Sequence, residues 1–380
     1  MKNLFLIFHG RFPSEKAASL FAAKSAEAFA DEGIETILVV PRRISRKKTN
    51  PYDFYQIKNN FKIVYLPIID FFNLPLPKVF SFWVSFISFS MSVFFYLVFE
   101  ARFRDLIYSN ESLPLFFATF VFPNTLYEMQ DFPESKLRLF SWFVKRTKLF
   151  VVSNGWKAKR MKDVFGAGEE KVFLEYNAVD ISKFDIVAEK NDARKKLGLP
   201  IDKKLVVYTG HLYKWKGVDT LASAASLLPL DYLVVFVGGT NEDVDRFKNL
   251  YASDNRINIV GLKPYIEIPL WQKAADALVL PNTAREKISL YYTSPMKLFE
   301  YMTSDRPIVA SNILSIVEIL NDKNSFLVKP DDPEDLMRGI KAACENKDLA
   351  RSRATYAHQS AKKHSWNRRA KRILRFAGLN

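Results

Sequence analysis

Residues 204–210, KLVVYTG, and 232–239, YLVVFVGG, followed by INIVG at 257–261 and ADALVLP at 275–281, decide the fold. Each is a short apolar run that closes on glycine or proline and precedes a stretch of helical pattern. Such runs carry no polar alternation, so both faces of each strand need cover, as in a parallel sheet packed between helices. PIVAS at 307–311, FLVKP at 326–330 and the amphipathic PEDLMRGIKAACEN at 333–346 continue the series. A doubly wound α/β sheet follows, and sheets of that kind bind ligands beyond the carboxyl ends of their strands.

Working outward, the N-terminal half shows the same alternation. Leu4 to His9 reads as a buried first strand, the stretch after GRFPSEKAAS as a helical pattern through Phe21, Ala22 and Phe29, and ETILVVP at 35–41 as the next strand. RDLIYSN at 104–110, KLFVVSN at 148–154, the helical GWKAKRMKDVFG and then KVFLEYN complete that half. The polar connection from Asn177 to Asn191 marks the boundary. The expected organisation is two Rossmann-like domains, 1–185 and 186–360, with a basic helical end at 361–380 that packs on the first domain or stays at the surface. A chain of 380 residues is long enough for two such domains.

Composition narrows the function classes. One cysteine, Cys344, excludes a disulfide scaffold and a multi-cysteine zinc site and fits a reducing cytoplasm. The opening MKNLFLIFHG lacks the basic stretch and small-residue cleavage site of a secretory signal, so an intracellular location is expected. The net charge of +15 attracts phosphates or anionic headgroups. Nucleic acid is not the expected partner, because the basic residues are dispersed and no recognised module is present. From Val79 to Phe99 there is no charge, a length sufficient to cross a bilayer, yet Ser81, Ser85, Ser88, Ser90 and Ser92 dilute it. A buried core helix, an interfacial helix and a span are all compatible with it.

The stretch 294–311, SPMKLFEYMTSDRPIVAS, carries the most chemistry. A helix start beyond a strand end is an anion site, Thr293 and Ser294 are suited to cap it, and Lys297 adds a charge one turn in. Glu300 can accept two hydrogen bonds at once, as vicinal ribose hydroxyls require. Asp243 and Asp245 form a D-x-D, but at a helix start where acids favour the dipole, so the pair is expected in a solvated first turn. No metal ligand set or cofactor is expected from the sequence. His9 and Gly10 end the first strand, where a tight backbone admits a diphosphate or an acceptor, and a satisfied core imidazole is the alternative for His9.

Taken in order, YTGHLYKWKG, FVGG, ADALVLP, SPMKLFEYM and PIVAS resemble glycosyltransferase family 4, a group of GT-B enzymes. The resemblance covers Val206 to Pro330 and is looser in the first half. It implies two Rossmann-like domains facing a cleft and retaining transfer of a sugar from a nucleotide diphosphate donor, UDP or GDP type. The donor would be held by the second domain, the acceptor mainly by the first, and no metal would be obligatory. Carried over by position, Glu300 matches the ribose-binding carboxylate and Lys216 the lysine that holds the diphosphate. His211 stands where an arginine is common, so Lys214 is expected to share that work, and Gly261, Leu262 and Lys263 lie where the base would sit. Tyr292 replaces the first carboxylate of the family's glutamate pair. Gln130 stands where relatives often carry histidine, with Glu128 and Asp131 as neighbouring candidates.

The expected activity is therefore hexosyl transfer to a glycan or lipid-linked glycan in cell-surface polysaccharide or glycoconjugate assembly, on a cytoplasmic protein that is peripheral at the inner membrane face. The alternative is a nucleotide-sugar-binding protein without transfer activity, motivated by Tyr292 and Gln130.

Overall fold

The computed structural model describes residues 2–43, 49–72, 74–135 and 137–379. They form two compact units, residues 1–175 with 366–380, and residues 176–365. The first holds a seven-stranded parallel sheet: β1 (Asn3–Ile7), β2 (Glu35–Pro41), β3 (Lys62–Leu66), β4 (Leu106–Ser109), β5 (Thr125–Met129), β6 (Leu149–Val152) and β7 (Val172–Leu174), in the order β3-β2-β1-β4-β5-β6-β7. The second holds six parallel strands: β8 (Lys204–Thr209), β9 (Tyr232–Val237), β10 (Ile257–Gly261), β11 (Ala277–Leu280), β12 (Ile308–Ser311) and β13 (Phe326–Val328), in the order β10-β9-β8-β11-β12-β13.

The unbroken apolar runs have a direct cause. Along β8, Leu205 and Val207 enter one core cluster while Val206 and Tyr208 enter the other, on the opposite face. Along β9, Leu233, Val235 and Val237 join the first and Tyr232, Val234 and Phe236 the second. A strand covered on both sides has no face left for polar residues.

The division between units falls ten residues before the expected 185/186. Residues 176–185 pack with the second unit: Phe184 enters its core against Tyr265, and Val179 pairs with Ser365. The basic C-terminal helix, Trp366–Phe376, belongs to the first unit, where Trp366 meets Phe21 edge-on and Arg369 reaches Glu128.

The apolar segment is a 23-residue helix, Lys78–Glu100, long and apolar enough to cross a membrane by length and composition. One face is buried, with Phe89, Val93 and Leu97 fully enclosed, and the other is exposed, so the helix packs on the first unit without being enclosed by it. Its serines point inward: Ser81, Ser85 and Ser90 are buried, Ser90 donates to Phe86 O, Ser92 to Pro67 O, and Ser88 accepts from Ile69 N.

Candidate functional site

In the second sheet the chain leaves β8 toward β9 on one side and leaves β11 toward β12 on the other, so the crevice between the carboxyl ends of β8 and β11 is a topological switch point. The backbone there is unusually close. Gly217 (φ 71°) follows a 3₁₀ turn at Lys214–Lys216, and a Cβ on it would stand 1.7 Å from Pro281 O, beyond β11. A Cβ on Gly238 (φ 120°), after β9, would meet Gly210 O at 2.5 Å. Both positions exclude any side chain, and the turn bearing Lys216 is thereby pressed against the strand ends.

The opposite wall is the helix Met296–Thr303. Tyr301 Oη accepts from Thr209 N at 2.8 Å, which fastens this helix to the end of β8. Lys297, Glu300 and Tyr301 share one helical face by their spacing. A Cβ on Gly210 would sit 3.8 Å from Lys216 Nζ and 3.9 Å from Lys297 Nζ, so both ammonium groups converge on the Gly210 backbone. Lys297 Nζ lies 3.7 Å from the centroid of the Tyr208 ring. It is buried and has no hydrogen-bond partner among the described residues. The Lys297 stem is partly exposed while its head is not, which is how a long amphipathic side chain fills a crevice.

Electrostatics follow from that burial. Desolvation lowers Lys216 to about 8, opposed by Asp243 and Glu300. Lys297 is held well below its ordinary value by burial and by Lys216. Glu300, 6% exposed, is pushed up to about 7 by burial, while the Tyr265 hydroxyl, 3.0 Å from its Oε1, and the two lysines pull it back. Burial disfavours the charged form of all three groups, and an anionic ligand entering beside the two lysines would favour their charged forms.

The remaining second-unit candidates are distributed around this core. His211 stacks on Tyr213 with ring centroids 4.9 Å apart, and its carbonyl accepts from Tyr208 Oη at 2.7 Å. Lys214 is exposed. Gly261 is buried with φ 82°, Leu262 is exposed, and Lys263 lies over the Trp271 ring. Tyr292 is buried at the end of a π-helical turn, Ile288–Tyr292. Thr293 and Ser294 do not cap the helix: its N-cap is Pro295, without a side-chain bond. Ser294 instead accepts from Asn177 N, and its carbonyl accepts from Asn177 Nδ2. Asp243 completes a capping box with Thr240, the solvated first turn that its D-x-D spacing suggests.

The first unit has its own switch point, between β1 and β4. His9 lies there, half-enclosed by the rings of Phe82, Phe86 and Phe89, with Nε2 3.0 Å from Ser85 Oγ. Burial, then the neighbouring Arg43, lowers it to about 4, so it is neutral at pH 7. Arg43 donates to Asp70, Ser85 and His9 O, and Glu111 accepts from His9 N. Burial pushes Glu111 up to about 6. Gly10 is packed over the Phe8 ring.

Gln130 is half-buried and donates to Glu128 Oε1 at 3.3 Å, while its carbonyl accepts from Lys157 Nζ. Glu128 has no exposed surface and pairs with Arg369. That contact ties the C-terminal helix to β5, a structural placement rather than presentation to a substrate. Asp131 is exposed. Sequence reasoning missed Tyr265, Arg43 and Glu111. The available signal was position: each lies just beyond a strand, Tyr265 after β10, Arg43 after β2 and Glu111 after β4.

Comparison with known proteins bears on the second unit most directly. Residues 189–360 match the family model described as glycosyl transferases group 1. The findings support a glycosyltransferase. An uncharacterized glycosyltransferase of Methanocaldococcus jannaschii is 25% identical over 323 residues, 78% of this chain and 79% of that protein. A D-inositol 3-phosphate glycosyltransferase of Corynebacterium urealyticum is 23% identical over 257 residues, 64% of this chain and 59% of its own length. Among solved structures, Anabaena HepE in complex with UDP and glucose superposes with a TM-score of 0.74 at 18% identity, covering 100% of both chains. Sucrose-phosphate synthase from Thermosynechococcus elongatus gives 0.78 at 17%, covering 99% of this chain and 98% of that one. At these identities the superpositions establish the fold, that of the GT-B glycosyltransferases.

Proposed function

We propose that this protein is a retaining glycosyltransferase of family 4 that moves a hexosyl group from a nucleotide diphosphate sugar, UDP or GDP type, to a glycan or lipid-linked glycan. The observation that carries the reading is the convergence of Lys216 and Lys297 on the Gly210 backbone at the second sheet's switch point, with Glu300 on the same helix face as Lys297. The lysines hold the diphosphate and Glu300 accepts from the ribose hydroxyls. Relatives point the same way, since HepE is described in complex with UDP-glucose.

In the proposed reaction the bond from the anomeric carbon to the diphosphate oxygen breaks. The acceptor oxygen bonds that carbon on the same face and passes its proton to the departing phosphate. Charge growing on the diphosphate is met by Lys216, Lys297 and the amides at the start of helix Met296–Thr303, each such donor worth roughly 2.7 to 4 kcal/mol in water-excluded sites. His211 flanks the leaving group, while Gln130 and the His9–Arg43–Glu111 cluster lie on the acceptor-binding unit. This scheme requires no metal ion. The setting proposed is surface polysaccharide or glycoconjugate assembly at the cytoplasmic face of the membrane, in keeping with a putative teichuronic acid biosynthesis glycosyltransferase of Bacillus subtilis that is 26% identical over 163 residues.

A panel of nucleotide diphosphate sugars, screened by melting temperature and then by release of free nucleotide, tests the reading. One or more donors should raise the melting temperature and turn over equally with and without EDTA. Stabilisation without any release, even with glycan acceptors, would favour a binding protein, and no stabilisation by any nucleotide would refute the donor site.

A further inference from the structure

The helix Lys78–Glu100 is apolar on both faces: Phe86, Phe89, Val93 and Leu97 are buried against the first unit. Its serines face the protein, while Phe80, Trp83, Ile87, Phe95 and Phe99 face outward, Phe99 at 83% exposure. At 1.5 Å per residue this face runs about 34 Å, the length of the whole element. The apolar surface does not stop at the helix. Phe103 (70% exposed) packs on Phe122, and Phe120 and Trp142 lie with ring centroids 6.0 Å apart, both exposed, with exposed Leu139 one turn before Trp142 on its helix. The second helix, Leu137–Arg146, is separated from the first by Ser112–Ala118, which packs on both. Exposed large aromatic side chains grouped on neighbouring elements in this way mark an interaction surface rather than scattered apolar positions.

Its charged border is one-sided. The stretches 78–104 and 137–148 contain seven basic residues, Lys78, Arg102, Arg104, Arg138, Lys145, Arg146 and Lys148, and a single acid, Glu100. All seven basic residues are exposed. Arg146 also lies 4.0 Å over the Phe120 ring, so its stem adds to the apolar surface while its charge stays at the rim. Two copies of the chain meeting through this face would bring like charges together. An anionic bilayer complements it: aromatic rings enter the headgroup boundary and the cations meet lipid phosphates.

We infer that the first unit docks on anionic phospholipid bilayers through this two-helix face, with helix Lys78–Glu100 lying in the plane of the interface rather than crossing it. The inference does not depend on the donor reading, because it is read out with no nucleotide present.

The test is co-sedimentation of the full chain with vesicles of phosphatidylcholine alone or with roughly 30% phosphatidylglycerol, alongside the double variant Phe99→Asp, Trp142→Asp. Circular dichroism and a thermal melt confirm that the variant folds, since both side chains are already in solvent. The wild-type chain should bind the anionic vesicles at least about tenfold more tightly than the double variant, and Arg102→Ala with Arg104→Ala should lose about fivefold per cation removed. Brominated acyl chains should quench tryptophan fluorescence in the wild type and do so less in Trp142→Phe. Absence of vesicle binding, equal binding to neutral vesicles, or a dimer in light scattering that the aspartates dissolve would each overturn the inference.

Discussion

Replacing Lys216 with methionine separates what this side chain does for the fold from what it does for a ligand. Burial lowers the Lys216 ammonium from 10.5 to about 8. The folded pKa lies below the unfolded one, so between pH 8 and 10.5 the unfolded chain holds a proton that the folded chain has lost. Stability therefore rises with pH across that window, and below pH 8 the full penalty of the buried charge is present. At 1.36 kcal/mol per pH unit the penalty is about 3 kcal/mol. Lys216→Met keeps the length of the stem and removes the charge, so the unliganded protein should gain up to about 3 kcal/mol at pH 7 and nothing at pH 11. For a unit of this size that corresponds to roughly 6 to 12 °C in melting temperature. Losing a charge-assisted hydrogen bond to a diphosphate should at the same time weaken nucleotide binding by roughly 10- to 150-fold. Thermal melts from pH 6 to 11 and titration calorimetry with UDP and GDP report the two effects. A variant that is less stable at pH 7 and binds nucleotide as tightly as the wild type would refute the reasoning.

Tyr265→Phe removes the hydroxyl that holds Glu300 down, so Glu300 should rise above about 7. Nucleotide affinity should then drop at pH 7 and recover at pH 8.5, a shift that titration calorimetry at both pH values will show. Gly217→Ala forces a Cβ into Pro281 O, so it should lower both stability and nucleotide affinity, in contrast to Lys216→Met, as thermal melts and calorimetry will reveal. Arg369→Ala strands the Glu128 carboxylate in the core and should cost about 3 to 5 kcal/mol in urea unfolding, whereas Glu128→Leu with Arg369→Leu should recover most of it.

The second unit was readable because its strands are covered on both faces: KLVVYT, YLVVFV and ALVL are apolar at nearly every position, and only a parallel sheet makes such runs sensible. Lys216, Lys297 and Glu300 could be singled out because they lie just past strand ends or on the helix that follows one. What the sequence hid was three-dimensional. Tyr265 reaches Glu300 from another strand's loop, 35 positions away. Asn177 claims Ser294, which left the helix without the serine cap that its composition suggests. The Phe-rich helix could be recognised as apolar, but which of its phenylalanines are buried, such as Phe86 and Phe89, and which are exposed, such as Phe95 and Phe99, depends on which face meets the rest of the unit. Glu128 and Arg369, 241 positions apart, show the same limit: a buried ion pair leaves no local pattern.

Hydrogen exchange of the full chain with and without a saturating nucleotide diphosphate tests the donor site most directly. The account predicts slowed exchange at the amides of residues 209–217 and 296–301, with smaller changes along 262–265. Unchanged exchange in both of the first two segments, with nucleotide demonstrably bound, would contradict it.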